Sequence, residues 1–184
     1  MRPIFVLTPP RARTCWLTVY LRGLGVPAVH EGWKYWTTPK ALRLAMEAMG
    51  SGVVVNVDSS NVTRVAEIED EFPEARFVCI LRAWPVCMQS LRDAIEIELP
   101  EGEALGERTT IAQSRAIKRG AFVIVFDHWT PEISRSLIEW LDPDIAIDPL
   151  WHYFCSGLDI QLLSTRLNTE LDMLRDHHVV TIGD

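Results

Sequence analysis

Four short apolar runs constrain the architecture of this chain more than any other feature. They are rich in β-branched or aromatic side chains, and their apolar residues follow one another instead of alternating with polar ones. A strand with this pattern is buried on both faces, as in a parallel sheet covered by helices on each side. The runs predict strands at Ile4–Leu7, Val53–Val57, Phe77–Leu81 and Phe122–Phe126.

Helical patterns lie between and after these runs. Thr38 and Thr130 each precede a proline, which is typical of a helix cap followed by a first-turn proline. The polar stretch Pro100–Gly106 predicts an exposed loop. The predicted helices are Thr14–Leu24, Thr38–Met49, Asn61–Glu71, Pro85–Leu99, Thr109–Arg119, Thr130–Leu141 and Leu158–Asp176.

This alternation of strands and helices predicts an α/β fold, a three-layer parallel sheet flanked by helices. We expect a single domain over residues 1–184, with a helical C-terminal part at about 130–178. Ligands of open α/β sheets bind beyond the carboxyl ends of the strands. The residues that follow each strand are therefore the first candidates for a functional site.

Composition and charge exclude several classes of function. The formal net charge of −7 argues against nucleic-acid binding driven by overall charge. The four cysteines show no paired metal-ligand spacing and suit reduced, mostly buried thiols, so we expect no metal site. No apolar run is long enough to span a membrane, and the N-terminus does not resemble a signal peptide. These features predict a cytoplasmic protein without a membrane or nucleic-acid partner.

The junction of the first strand and first helix carries Arg11, Arg13 and Thr14 where a phosphate-binding loop would lie. Backbone N–H groups at a helix start attract anions, and guanidinium groups strengthen that attraction. The segment Pro9–Arg22 contains neither glycine nor lysine, so it is not a Walker loop and an ATP–Mg²⁺ site is not expected. A capped helix with two solvated arginines is the alternative interpretation.

The stretch "PPRARTCWL" resembles the 5′-phosphosulfate-binding loop of the sulfotransferases, especially their small phage and bacterial members. Pro10, Arg11, Thr14 and Trp16 match the motif of that family, whereas Ala12 replaces its usual serine and Arg13 its usual glycine. The resemblance implies a P-loop NTPase-like topology, with residues 10–16 at the cofactor.

The third predicted strand and the helix after it resemble the 3′-phosphate-binding motif of the same family. Arg82 follows the strand and Ser90 lies eight residues later, about two turns into the helix. Side chains at these positions could reach one phosphate group from two sides.

The resemblance implies transfer of a sulfuryl group from 3′-phosphoadenosine 5′-phosphosulfate to a hydroxyl or amine, with adenosine 3′,5′-bisphosphate as product and without a metal. Arg11 would stabilise the leaving 5′-phosphate. Arg13, Thr14, Cys15 and the helix N-terminus would hold its oxygens, and Arg82 and Ser90 would hold the 3′-phosphate.

Glu31 and His30 are the two candidates for the general base that deprotonates the acceptor. Glu31 lies twenty residues after Arg11, which resembles the spacing of the base in protein-tyrosine sulfotransferases. The ordinary pKa of a histidine near 6.5 also suits His30. Neighbours along a strand point to opposite faces, so we expect one of them to serve, Glu31 being favoured. Trp33, Tyr35 and Trp36 could line an acceptor pocket or cover the core, and Asp58, Ser59 and Ser60 could bind the acceptor or, more often for the serines, cap the next helix.

Two other functions stay open at this stage. One is a P-loop kinase or phosphotransferase, and the other is a non-catalytic nucleotide-binding or assembly module on the same scaffold. The sequence specifies neither the acceptor nor the oligomeric state.

Overall fold

The computed structural model describes residues 1–50, 52–95, 102–148 and 150–156. Its centre is a sheet of five parallel strands in the order β2-β3-β1-β4-β5. The strands are β1 (Arg2–Leu7), β2 (Ala28–His30), β3 (Val53–Val57), β4 (Arg76–Leu81) and β5 (Phe122–Val125). The first strand is therefore central, with β3 and β4 on either side of it.

Eight α-helices among the described residues surround this sheet. They are α1 (Thr14–Gly23), α2 (Gly32–Tyr35), α3 (Pro39–Met49), α4 (Val65–Glu71), α5 (Trp84–Ile95), α6 (Gly102–Lys118), α7 (Pro131–Leu141) and α8 (Trp151–Ser156). Short 3₁₀ turns follow β3 at Ser59–Thr63 and β5 at Phe126–His128. Thr38 and Thr130 cap α3 and α7 through their side chains, as their sequence pattern predicts.

The core has two parts, one on each face of the sheet. Ile4 and Val6 of β1 belong to the cluster that α1, α7 and α8 cover. Phe5 and Leu7 belong to the cluster on the opposite face, under α3, α4 and α6. The predicted three-layer α/β fold is confirmed, because consecutive apolar residues of one strand pack against helices on both sides.

The structure confirms the four predicted strands to within about two residues at each end and adds β2, which is too short for its pattern to be recognised. Burial on both faces is wrong for β5, since Val123 and Val125 are 37% and 42% exposed at the sheet edge. The predicted helix from Asn61 is a 3₁₀ turn up to Thr63, and α4 begins only at Val65. The predicted helix Leu158–Asp176 lies outside the described residues.

The predicted loop Pro100–Gly106 is wrong from Gly102 onward, where α6 begins. Gly106 indicated a turn, but it lies inside the helix against the ring of Trp84. A Cβ atom at this position would come within 2.9 Å of that ring. The glycine therefore allows close helix packing and does not end the helix.

Buried amides hold the carboxyl ends of three central strands. Asn61 donates to the backbone oxygens of Val6 and Asn56 at 3.0 and 3.1 Å. Gln113 of α6 donates to the backbone oxygens of Leu7 and Ile80 at 3.0 and 2.9 Å. These bonds give the carbonyl groups at the strand ends buried side-chain donors, and they fix the base of the loop that follows β1.

None of the four cysteines is in a disulfide, and Cys79, Cys87 and Cys155 are fully buried, as the sequence predicts for most of them. No helix in the described ranges has the length and apolar character needed to cross a membrane.

Candidate functional site

The loop between β1 and α1 has an unusual backbone conformation. Arg11 and Arg13 adopt left-handed φ angles of 63° and 64°. An L-residue in this region carries a cost of roughly 1–2 kcal/mol, which glycine avoids. The conformation explains why the sulfotransferase motif has glycine at the position of Arg13. Non-glycine residues held in this conformation cluster at active sites and ligand-binding loops, so the strain marks this loop as a candidate site.

The two sequence motifs meet directly in space. Arg82 donates through Nη1 to the backbone oxygen of Arg11. Arg11 in turn donates from Nε to Ser90 Oγ at 3.2 Å. The Arg82 side chain thus holds the backbone of the first motif, and the Arg11 side chain lies against the second motif. The structure brings all three residues to one point.

Phe126, directly after β5, is a site residue that the sequence did not single out. The guanidinium carbons of Arg82 and Arg13 lie 4.1 and 5.0 Å from the centre of its ring. Such cation–π contacts orient guanidinium groups without neutralising them. The only signal in the sequence was its place at the end of a predicted strand. Phe126 therefore serves as a shared platform for two arginines.

These residues line a cavity of about 450 Å³. Its described lining consists of Pro10, Arg11, Arg13, Thr14, Cys15, His30, Glu31, Ser59, Arg82, Ser90, Leu91 and Phe126. Three arginines and one glutamate give this lining a positive balance, although the chain as a whole carries −7. The N-terminus of α1 opens into the same cavity, and no side chain caps it. The arrangement attracts anions.

Two predicted cofactor-binding residues do not line this cavity. Ala12 is completely buried and Trp16 is 3% exposed, both in the cluster beneath α1. Trp16 stacks on Tyr20 with ring centres 4.9 Å apart. Their side chains anchor the loop and the helix from below, while Pro10, Thr14 and Cys15 reach the cavity surface.

His30 is almost fully enclosed at the back of the cavity, with an exposure of 1%. Its Nε2 atom lies 3.1 Å from Cys15 Sγ and 3.2 Å from Thr14 Oγ1. Burial lowers the pKa of His30 to about 4, against a smaller opposing effect of Asp58. The imidazole is therefore neutral at pH 7 and a poor proton acceptor.

Glu31 lies at the rim, between two cavities. Its backbone is also left-handed, with φ of 53°, so every described non-glycine residue with positive φ lines the main cavity. Glu31 and Ser59 are shared with a second, adjoining cavity of about 270 Å³. Glu31 is half-buried and lines both spaces.

The second cavity is polar. It is lined by Glu31, Trp33, Lys34, Asp58, Ser59, Ser60 and Arg64. Asp58 accepts the backbone N–H groups of Ser60 and Trp33 at 2.8 and 3.0 Å. The prediction that Ser59 or Ser60 caps the next helix is thus wrong, because the Asp58 side chain caps the 3₁₀ turn Ser59–Thr63. The two cavities lie side by side at the carboxyl ends of the strands and share Glu31 and Ser59.

The three neighbouring aromatic residues differ in their surroundings. Trp33 is 5% exposed, donates from Nε1 to Asn61 at 2.7 Å, and has Arg64 stacked on its ring at 4.5 Å. Tyr35 and Trp36 are half-buried and pack near each other, outside the described lining of both cavities. Trp33 is therefore part of the core, one of the two roles that the sequence left open, and it also lines the second cavity.

In the described part of the chain, no three histidine, cysteine or acidic side chains converge as a metal site.

No protein-family model matches the chain, and no curated protein matches it. Among solved structures, shikimate kinase from Bacteroides thetaiotaomicron is similar, with a TM-score of 0.46 and 15% sequence identity. The match covers 75% of this chain and 95% of that chain. At this identity and TM-score, the likeness has no bearing on what the chain binds.

The five parallel strands in the order β2-β3-β1-β4-β5, with helices on both faces, define a three-layer α/β protein. Arginine side chains and the N-terminus of α1 surround the cavity that follows β1, and the described lining of this cavity contains no lysine.

The buried neutral His30 predicts a loss of stability in acid. Its pKa is about 4 in the folded protein and about 6.5 in the unfolded chain, which therefore binds a proton first as the pH falls. The free energy of unfolding should decrease between pH 6.5 and 4, by roughly 3 kcal/mol in total. Denaturant titrations at several pH values should show this slope in the natural chain and its loss in His30→Gln. The exposed His128→Gln variant is the control, and equal slopes in all three proteins would contradict the assignment.

Proposed function

We propose that this protein transfers a sulfuryl group from 3′-phosphoadenosine 5′-phosphosulfate to a small hydroxyl- or amine-bearing acceptor. The observation that carries the proposal is the direct contact of Arg11 with both Arg82 and Ser90 around one cavity. A donor with phosphate groups at both its 3′ and 5′ positions needs cationic groups in two places, and the two motifs supply them.

The residues present fit such a donor. Arg11, Arg13 and the uncapped N-terminus of α1 offer donors for the 5′ end. Arg82 and Ser90 offer donors for the 3′-phosphate. The Nε atom of Arg82 is buried and has no acceptor among the described residues. A phosphate oxygen would provide that missing acceptor.

When bound, the donor supplies the activated sulfuryl group, and the protein positions it and stabilises charge. Arg11 places a guanidinium group at the helix start, where the negative charge of a leaving 5′-phosphate would develop. Phe126 keeps Arg13 and Arg82 oriented before binding. Groups that are fixed in advance need little rearrangement during the reaction, which is the main source of catalysis by charge stabilisation.

Glu31 is the better of the two candidate bases. It lies between the main cavity of about 450 Å³, which is the donor cavity in this proposal, and the second cavity. An acceptor hydroxyl would meet the sulfuryl group at this place. His30 does not belong to the described lining of the second cavity, and its Nε2 atom is already engaged with Thr14 and Cys15. Its lowered pKa of about 4 further weakens it as a base at neutral pH.

The second cavity suits a small, polar acceptor. Its volume of about 270 Å³ lies near the low end of ligand pockets, which span roughly 300–1,000 Å³. Ser59, Ser60, Lys34 and Arg64 provide hydrogen-bond donors, and Arg64 already stacks on the ring of Trp33.

ATP-dependent phosphoryl transfer is the second candidate function. Its support is the placement of Thr14 at the start of α1 and of Asp58 directly after the neighbouring strand β3, because such a hydroxyl and such an aspartate hold Mg²⁺ in P-loop enzymes. Against it, Thr14 contacts His30, both Asp58 oxygens accept backbone N–H groups, and no lysine lines the donor cavity as described.

Arg82→Ala should weaken binding of adenosine 3′,5′-bisphosphate by about 100-fold, since it removes charge-assisted hydrogen bonds. Arg82→Lys should retain part of the affinity because it keeps the charge but not the fork of donors. Isothermal titration calorimetry measures both. Arg115→Ala is the matched control, because Arg115 lies on the exposed side of α6 and pairs with Glu69. A natural chain that does not bind the bisphosphate, or an equal loss in the control, would refute the proposal.

Glu31→Gln should reduce sulfuryl transfer by a factor of about 10²–10⁴ and leave bisphosphate affinity unchanged, because only the base is removed. The assay incubates radiolabelled donor with a panel of small hydroxylated compounds and detects labelled product. Glu139→Gln, at an exposed position of α7, controls for the loss of one charge. Full activity in Glu31→Gln would exclude Glu31 as the base.

A further inference from the structure

Cys15 differs from the other cysteines of this chain in its surroundings. Cys79, Cys87 and Cys155 are fully buried, and burial raises the pKa of Cys79 to about 12 and that of Cys155 to about 11. Cys15 is half-buried and lines the donor cavity. A disulfide reagent in solution can therefore reach Cys15, whereas the other three thiols are enclosed and poorly ionised.

Three features around Cys15 stabilise a thiolate. It lies in the first turn of α1, whose N-terminus has no side-chain cap. Arg11 and Arg13 line the same cavity. Helix N-termini and neighbouring cations are the settings in which cysteines react.

His30 is the third feature, and its hydrogen bonds fix its role. Its Nδ1 atom is buried and has no hydrogen-bond partner among the described residues. Buried N–H groups without a partner are rarer than buried acceptors without one, so we assign the proton to Nε2. From there His30 can donate to Cys15 Sγ, 3.1 Å away. A neutral imidazole therefore stabilises the sulfur anion without itself becoming charged.

We propose that Cys15 is a covalent modification site for small disulfides that carry negative charge. The Sγ thiolate attacks one sulfur of the disulfide, and a new S–S bond forms as the original S–S bond breaks. The other half of the reagent leaves as a thiolate and takes a proton from water, equal to the one that Cys15 lost. The net reaction converts one thiol and one disulfide into a mixed disulfide and a released thiol.

The modification would close the donor cavity. The attached group would lie between Arg11 and Arg13, in the space that an anionic ligand needs. Modification and anion binding are then mutually exclusive, and a thiol reductant reverses the block. The reactivity of Cys15 does not depend on the proposed sulfuryl transfer, whereas protection by the bisphosphate does.

Oxidised glutathione is the anionic probe and cystamine the cationic one, each with rates normalised to a model thiol. Mass spectrometry of the folded protein should show one glutathione on Cys15, at a rate at least tenfold above that of any other cysteine. Arg13→Gln should slow the reaction with oxidised glutathione more than the reaction with cystamine, because it removes both a cation beside the thiolate and the attraction for an anionic reagent. His30→Gln should slow both. Thr110→Gln, at an exposed position of α6, controls for substitution as such.

Cys15→Ser should abolish labelling, and inorganic sulfate should slow it in the natural chain. Labelling that falls first on another cysteine, or that is equally fast with both reagents in the natural chain and in Arg13→Gln, would overturn the inference. If sulfate protects Cys15 but adenosine 3′,5′-bisphosphate does not, the modification site stands and the proposed donor fails.

Discussion

The backbone turn between β1 and α1 is the constraint on which the site depends. Arg11 and Arg13 in that turn have left-handed backbone conformations. The guanidinium group of Arg82, at the end of the neighbouring strand β4, donates a hydrogen bond to the carbonyl oxygen of Arg11. Below the turn, Asn61 and Gln113 bind the last carbonyl groups of β1. The helix that follows therefore starts at a fixed place and directs its unpaired N–H groups into the cavity. Without this turn, the arginines would lie on an ordinary surface.

The same contacts explain how three positive charges remain close together in a protein of net charge −7. Each arginine is oriented by an uncharged partner: Arg82 by a backbone oxygen, Arg11 by a serine hydroxyl and Arg13 by the ring of Phe126. No carboxylate neutralises them at these contacts. Their charge is thus available to an anionic ligand, which is the arrangement that a phosphate site requires.

The sheet and the meeting of the two arginine motifs could be predicted from the sequence, because both follow from local sequence patterns. Buried strands are recognised by their continuous runs of apolar residues. The carboxyl ends of parallel strands share one edge of the sheet, so Arg11 and Arg82, which follow two such strands, come close together. The contacts of Phe126, the pairing of Cys15 with His30 and the second cavity could not be predicted, since each joins residues from different elements. The turn predicted at Gly106 was wrong, because this glycine lies inside α6 and makes room for the ring of Trp84. That role cannot be recognised from its neighbours in sequence.

The proposed function requires that one cavity recognise two phosphate groups of a single nucleotide without a metal. Calorimetric titration of the natural chain with adenosine 3′,5′-bisphosphate and with adenosine 5′-monophosphate, both in the presence of a chelator, tests it most directly. We expect the bisphosphate to bind about 100-fold more tightly, because only it engages Arg82 and Ser90 through charge-assisted bonds. Equal affinities for the two nucleotides, or tighter binding of ATP with Mg²⁺ in a separate titration without chelator, would contradict this proposal.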